Sequence, residues 1–170
     1  MLAVERGSVN SVSEMLKAGA DANAATSNGT TALMLAVVKD DAVRVAALVA
    51  TLLQAGADVN AATDGGWTAL VLAVNASHDA NGKVLSVLLS AGANASAAAP
   101  GGWTAALLAA KACAWDPFFA LLAAGANASA ATDDGWTGLM FAAQCGDEST
   151  VSALLQAGAD VNRGTVPTTA

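Results

Sequence analysis

Two kinds of apolar segment alternate along the chain. The first kind, as at 32–38, is short and apolar on nearly every side. A helix of that kind must be sandwiched between neighbours. The second kind places Val45, Leu48, Val49 and Leu52 at helical spacing, on one face. The pattern predicts helix-turn-helix units that bury their apolar faces by stacking on one another.

Two repeated phrases give the period of these units. The phrase Ala-Gly-Ala-Asp/Asn has its glycine at 19, 56, 92, 125 and 158, so the intervals are 37, 36, 33 and 33 residues. A second phrase, Gly-x-Thr-Ala/Gly, keeps the same register, with its threonine at 31, 68, 104 and 137. Such self-similarity indicates a repeat architecture. We predict one domain over 1–170, with repeats at 1–25 (partial), 26–62, 63–98, 99–131 and 132–164, and a tail or truncated repeat at 165–170.

The residue types at the repeat boundaries predict where helices begin and end. Each threonine of the second phrase precedes an apolar run, where its side chain can cap a first helix. Each glycine of the first phrase can end a second helix in the left-handed conformation. The polar segment that follows, Asp-Val-Asn-Ala-Ala-Thr-Asp-Gly-Gly in the copy at 58–66, is typical of a turn or a hairpin finger.

The repeats differ in how they absorb extra residues. Four additional residues in the repeat 26–62 are expected to lengthen its second helix by about one turn. Three in the next repeat fall within Ser77–Gly82, where Asn-Gly signals a wider loop. In the repeat 99–131, Asp116 and Pro117 are expected to be the cap and first residue of the second helix.

These phrases resemble the ankyrin repeat. Thr68-Ala69-Leu70-Val71-Leu72-Ala73 stands where that family has Thr-Pro-Leu-His-x-Ala, and the segments 52–60 and 154–162 carry its Leu-Leu and Gly-Ala-Asp-Val-Asn. The resemblance implies an all-α solenoid of stacked helix-turn-helix units with projecting fingers. The family's histidine is replaced throughout, so apolar packing is expected at Met34, Val71, Leu107 and Met140.

Composition excludes several classes of protein. Apolar residues make up 55% of the chain and charged residues 12%, which is incompatible with disorder. A net charge of −7 with scattered basic residues argues against nucleic-acid binding. No apolar stretch is long enough to predict membrane insertion, and no signal peptide is evident. We therefore expect an intracellular, cytoplasmic location, with an organelle interior as the alternative, and a chain that is a piece of a longer protein or has its ends covered by a partner.

Candidate chemistry is sparse. The single histidine, His78, lies in the predicted loop, and the adjacent pairs Asp40–Asp41 and Asp133–Asp134 have diverging side chains. Stacked helices are roughly 8–10 Å apart, so Cys113 and Cys145 are expected to be free, packed thiols. We expect no enzymatic activity, cofactor, metal or small-molecule substrate.

Tryptophan gives the strongest functional signal. Trp67, Trp103 and Trp136 recur directly before the capping threonine of three repeats. In ankyrin repeats this position belongs to the partner-facing surface, and tryptophan is common at interface hot spots. The rings could instead pack on neighbouring fingers and hold the turns together. Trp115, beside Phe118 and Phe119, is expected to belong to a core cluster with a partly exposed edge.

The expected function is therefore protein–protein recognition by an adaptor or scaffold, through the concave face and finger tips. The alternative is a structural subunit embedded in a large organellar or membrane-associated complex. Asn60 and Asn162 resemble sites of asparaginyl hydroxylation, although stabilisation of the finger turn is the plainer interpretation. The expected partner-binding residues are Trp67, Trp103, Trp136, Asp64, Asp133, Asp134, Lys39, Asn75, Lys111 and Gln144.

Overall fold

The computed structural model describes residues 2–5, 8–39, 42–76 and 81–164. Its contacts divide the chain into two compact units, unit 1 at Met1–Asn94 and unit 2 at Ala95–Ala170. The predictions for His78, for Asp40–Asp41, for residues 77–80 of the expected loop and for the tail 165–170 lie outside the described residues. The expected Asn-Gly turn is wrong, because Asn81 and Gly82 are the first two residues of a helix, Asn81–Ser90.

Unit 1 is built from helix pairs that pack in two layers. The helices are α1 Leu2–Glu5, α2 Val9–Lys17, α3 Ala32–Val37, α4 Ala42–Gln54, α5 Ala69–Asn75 and α6 Asn81–Ser90. The first helices of successive repeats, α1, α3 and α5, contact one another in turn, and so do the second helices, α2, α4 and α6. The buried side chains of these helices are mostly leucine, valine, alanine and methionine.

Unit 2 is built from two helix pairs and a short sheet. Its elements are β1 Ala98–Ala99, β2 Trp103–Thr104, α7 Ala105–Lys111, α8 Trp115–Ala123, α9 Gly138–Cys145 and α10 Glu148–Gln156. Helix α7 packs on α8, α9 packs on α10, and the first helices α7 and α9 contact each other. In the finger, β1 pairs with β2 in antiparallel register, Ala98 with Thr104 and Ala99 with Trp103, and a 3-10 turn over Pro100–Gly102 joins the two strands. This is the mostly helical repeat fold that the sequence predicts.

The predicted caps and fingers are confirmed. All four threonines accept a hydrogen bond from the backbone N–H three residues later, as Thr68 does from Val71. The glycines that follow the second helices have φ between +79° and +92°. The fingers close as hairpins, with single bridges such as Ala62 to Thr68 outside the sheet of unit 2. Among the positions that replace the family histidine, Met34, Val71 and Leu107 are buried, as expected.

The extra residues of the repeat 26–62 lengthen its second helix as predicted. Helix α4 has 13 residues, whereas α2, α8 and α10 have 9 each. The difference of four residues is about one helical turn, which keeps the same face toward the core. Trp115, Phe118 and Phe119 form the expected cluster, with ring centroids 5.6 and 5.5 Å apart and Phe118 buried.

The prediction for the start of α8 is wrong. The helix begins at Trp115 and its cap residue is Ala114, which offers no side-chain bond. Asp116 and Pro117 therefore lie inside the first turn, so Asp116 is not the cap and Pro117 is not the first residue of the helix. Proline is tolerated there because the first N–H groups of a helix have no intrahelical acceptor.

The prediction of two free thiols is also wrong, because Cys113 and Cys145 form a disulfide. Helix-to-helix spacing does not apply to this pair. Cys145 is the last residue of α9, but Cys113 lies in the turn after α7 with φ +53°. The turn brings the two Cα atoms to 6.2 Å, within the range that a disulfide spans.

Candidate functional site

The finger of unit 1 that carries Trp67 is held by one threonine. Thr63 Oγ1 accepts a hydrogen bond from Trp67 N–H at 3.1 Å, and Thr63 N–H donates to Trp67 O at 3.0 Å. The indole lies against the finger backbone, since a Cβ at Gly65 would be 3.4 Å from Trp67 Cδ1. The ring is partly buried. Local hydrogen bonds thus fix the backbone of Trp67, and its side chain stays partly exposed.

Adjacent fingers of unit 1 are joined backbone to backbone. Asp64 N–H donates to Asn28 O at 3.1 Å. Gly29, at φ +81°, makes this approach possible, because a Cβ there would lie 3.0 Å from Thr63 Cα. The Asp64 carboxylate is left on the exposed side of the finger. The two fingers are therefore linked along one edge.

A cleft of about 510 Å³ opens below this edge, between the fingers and the first helices α3 and α5. Its floor is apolar, and Met34 there is 1% exposed. Val38, at the end of α3, is 41% exposed. The lining residues are Asn28, Thr30, Met34, Leu35, Val38, Thr63, Asp64, Gly65, Trp67, Leu72 and Asn75.

The polar groups of the cleft lie at its rim. Asn28 Oδ1 accepts hydrogen bonds from Thr30 N–H at 3.2 Å and from Thr30 Oγ1 at 2.9 Å, which fixes the amide. Among the described residues that line the cleft, Asp64 carries the one ionisable side chain. The cleft thus offers apolar area, an aromatic face and a single negative charge.

Unit 2 contains an aromatic cluster at the sequence positions that correspond to the cleft of unit 1. Phe141 of α9, 4% exposed, lies between two tryptophans. Its ring centroid is 5.1 Å from that of Trp136, with the planes at 20°, and 6.0 Å from that of Trp103. Lys111 Nζ lies 4.7 Å from the Trp103 centroid, a cation–π distance. Asp133 N–H bonds to Gly101 O at 2.9 Å, as Asp64 bonds to Asn28 in unit 1.

Counting from the capping threonines explains why one space is open and the other occupied. Trp103, one residue before its threonine, corresponds to Thr30 in unit 1. Lys111, seven residues after, corresponds to Val38. Phe141 corresponds in the same way to Leu72. Three smaller side chains in unit 1 thus stand where unit 2 has two large rings and a cation.

The structure brings the predicted site residues together in two groups. Trp67, Asp64 and Asn75 line the cleft of unit 1. Trp103, Trp136 and Lys111 belong to the aromatic cluster of unit 2. Neither group includes the partly buried Lys39 after α3, nor the exposed Asp133, Asp134 and Gln144 of unit 2.

Sequence reasoning missed the apolar half of the cleft. Leu35, Val38 and Leu72 look like ordinary residues of apolar helices, and Thr30 looks like part of a turn. If the repeats are aligned on their capping threonines, large residues in one pair of repeats correspond to smaller residues in the other pair. That contrast is the signal for an unfilled space.

The tryptophans show both packing and exposure. Trp103 and Trp136 make the intramolecular ring contacts that the packing interpretation requires, yet Trp136 is 41% exposed. The asparagine at 60 has a structural part in its turn. Its Nδ2 donates to Gly92 O at 3.1 Å and its Oδ1 accepts from Asn94 N–H at 2.7 Å, which supports the plainer interpretation of this position.

Two other kinds of site are absent from the described ranges. There, no group of three or more His, Cys, Asp or Glu side chains is placed to hold a metal ion. Over the same ranges, no helix combines the length and apolar character that a membrane crossing requires.

The fold and the registered phrases define an all-α repeat protein. The family described as "Ankyrin repeats (3 copies)" matches residues 1–97 and 76–165, so the chain belongs to the ankyrin-repeat family. No curated protein matches the chain significantly. Ankyrin repeats generally mediate protein–protein interaction, and proteins of this family are typically non-enzymatic.

Proposed function

We propose that this chain is a non-enzymatic adaptor or scaffold module that binds a protein partner through the cleft of unit 1. One observation carries the proposal: an apolar cleft of about 510 Å³ lined by a partly buried tryptophan. Trp67 is the central contact, with Asp64 and Asn75 at the rim. The remaining predicted residues do not line this cleft, and the proposal assigns them no contact with the partner: Trp103, Trp136, Asp133, Asp134, Lys39, Lys111 and Gln144.

The physical properties of the cleft suit recognition. Binding sites are concave and mostly apolar, with a few placed polar groups that set orientation. Thr63 holds the Trp67 backbone and the indole lies against Gly65, so the finger need not reorganise when a partner binds. A tryptophan in an apolar cleft has the properties of an interface hot spot.

The test compares two tryptophans in equivalent positions. Partners are first captured on the full chain and identified by mass spectrometry, and the affinity of each is then measured for variants. Trp67→Ala should weaken binding by about 2 kcal/mol or more, roughly thirtyfold. The matched control, Trp136→Ala, should have a smaller effect on affinity. Thermal melts of the free variants show whether each remains folded.

Equal losses from both substitutions, or none from Trp67→Ala, would contradict the proposal. The alternative, a structural subunit, predicts a different behaviour in size-exclusion chromatography. An adaptor should elute alone as a folded protein, whereas an embedded subunit should aggregate alone and co-purify with its complex.

A further inference from the structure

We infer that the cleft of unit 1 accepts a partner segment that carries an aromatic side chain next to a lysine or arginine. The inference rests on the proposed function and specifies the chemistry of the partner. It comes from unit 2, whose own side chains occupy the corresponding space.

Unit 2 shows which shapes fit between two fingers of this protein. Phe141 stacks there on Trp136, and Trp103 also packs on Phe141, with the ring centroids 6.0 Å apart. In unit 1, Trp67 replaces Trp136 and Leu72 replaces Phe141, but Thr30 replaces Trp103 and leaves the place of that large ring open. An incoming ring can therefore take the place of the Trp103 ring, beside Leu72 and Trp67, which both line the cleft. Aromatic pairs contribute more than their buried area alone.

Charge gives the second half of the inference. Unit 2 supplies its own cation, since Lys111 lies over the Trp103 ring. At the corresponding position unit 1 has the apolar Val38. Asp64 lines the cleft and is exposed. A lysine or arginine beside the aromatic residue would meet both the Asp64 carboxylate and the aromatic ring of Trp67.

Acidic segments are disfavoured by the same observations. The chain carries a net charge of −7, so an acidic partner meets long-range repulsion as well as Asp64. An aliphatic side chain could enter the cleft but would forgo the ring contact with Trp67. The aromatic and basic combination uses both the aromatic ring and the carboxylate that the cleft offers.

A phage-displayed library of random peptides, selected on the immobilised full chain, tests the inference. The selected peptides should be enriched in Trp, Phe or Tyr adjacent to Lys or Arg. Synthetic copies should lose at least tenfold in affinity for Thr30→Trp, which fills the cleft. Thr26 Oγ1 accepts a hydrogen bond from the backbone N–H of Thr30, and the equivalent threonines accept the same bond from Trp67 and Trp136. A tryptophan is therefore compatible with this turn, and the variant should fold. Leu72→Phe, which imitates Phe141, is a second filling variant.

Asp64→Asn isolates the charge. It should weaken the selected peptides severalfold and reduce the salt dependence of their binding, whereas the matched control Asp133→Asn in unit 2 should leave both unchanged. Peptides that need the cleft but are aliphatic or acidic would overturn the inference and leave the proposed function intact. Peptides whose affinity is unchanged by Thr30→Trp, Leu72→Phe and Trp67→Ala would overturn both.

Discussion

The two units of this protein differ in how the equivalent space beside their fingers is filled. In unit 2 the space holds Trp103 and Phe141, and the result is a packed aromatic cluster. In unit 1 it holds Thr30 and Leu72, and a cleft of about 510 Å³ remains. Both kinds of finger carry a tryptophan and a threonine that supports it. Recurrence of a residue across repeats therefore does not fix its role, because the role depends on what the neighbouring repeat supplies.

The largest expected effect comes from removing the centre of the aromatic cluster. Phe141→Ala should lower the free energy of unfolding by about 3–5 kcal/mol, since a buried ring leaves a cavity that its surroundings cannot fill. Leu72→Ala, the same position in unit 1, should cost about 2 kcal/mol or less, because that side chain already borders open space. Urea denaturation of both variants makes the comparison. Similar losses would show that unit 1 is packed like unit 2.

The disulfide should make the stability of unit 2 depend on redox conditions. Cys113 and Cys145 are 32 residues apart, and closing a loop of that length stabilises by about 3.5–4 kcal/mol. Adding a reductant should lower the melting temperature of the natural chain and leave the double variant Cys113→Ser, Cys145→Ser unchanged. Mass spectrometry after alkylation of native material shows whether the bond is present in the cell. Its presence there would count against a reducing cytoplasm, and two alkylated thiols would count against the bond.

The turns between repeats also differ between the units. Asn60 in unit 1 makes two bonds to the next turn, whereas Ser129, at the same position in unit 2, makes one, from Asp160 N–H at 2.9 Å. Asn60→Ser should therefore cost about 1 kcal/mol of stability. The reciprocal Ser129→Asn should stabilise or be neutral. Urea denaturation measures both, and a destabilising Ser129→Asn together with a neutral Asn60→Ser would contradict this account.

The smallest effect concerns helix caps and pH. Hydrogen bonds from Ser149 and Thr150 hold the pKa of Asp147, the cap of α10, below its ordinary value of 3.8. A lowered pKa means that the carboxylate stabilises the folded state above that value and that the contribution fades as the pH falls through the folded-state pKa. Asp147→Ala should thus lower the melting temperature at pH 7, and less so in strong acid.

Ser8, the cap of α2 in unit 1, is the control because it accepts the equivalent bond with an uncharged hydroxyl. The effect of Ser8→Ala on the melting temperature should not change with pH over the same range. If both variants responded equally to acid, the carboxylate at Asp147 would not be the cause.

The fold can be predicted well from the sequence because the same capping and helix-ending residues recur at the same positions in each repeat. Capping threonines, helix-ending glycines and the lengthened α4 could all be assigned from spacing. The cleft could not, because it depends on side chains that are smaller than their counterparts elsewhere, and a small residue carries no signal of its own. The disulfide was missed because Cys113 lies in a left-handed turn that an average helix spacing does not represent.

The central claim is that partners bind at the cleft of unit 1 and not at the aromatic cluster of unit 2. Hydroxyl-radical footprinting of the native complex, read by mass spectrometry, tests it directly because tryptophan and methionine are readily oxidised. Binding should protect Trp67 and leave the oxidation of Trp136, which is 41% exposed, unchanged. Protection of Trp136 with no change at Trp67 would contradict the account.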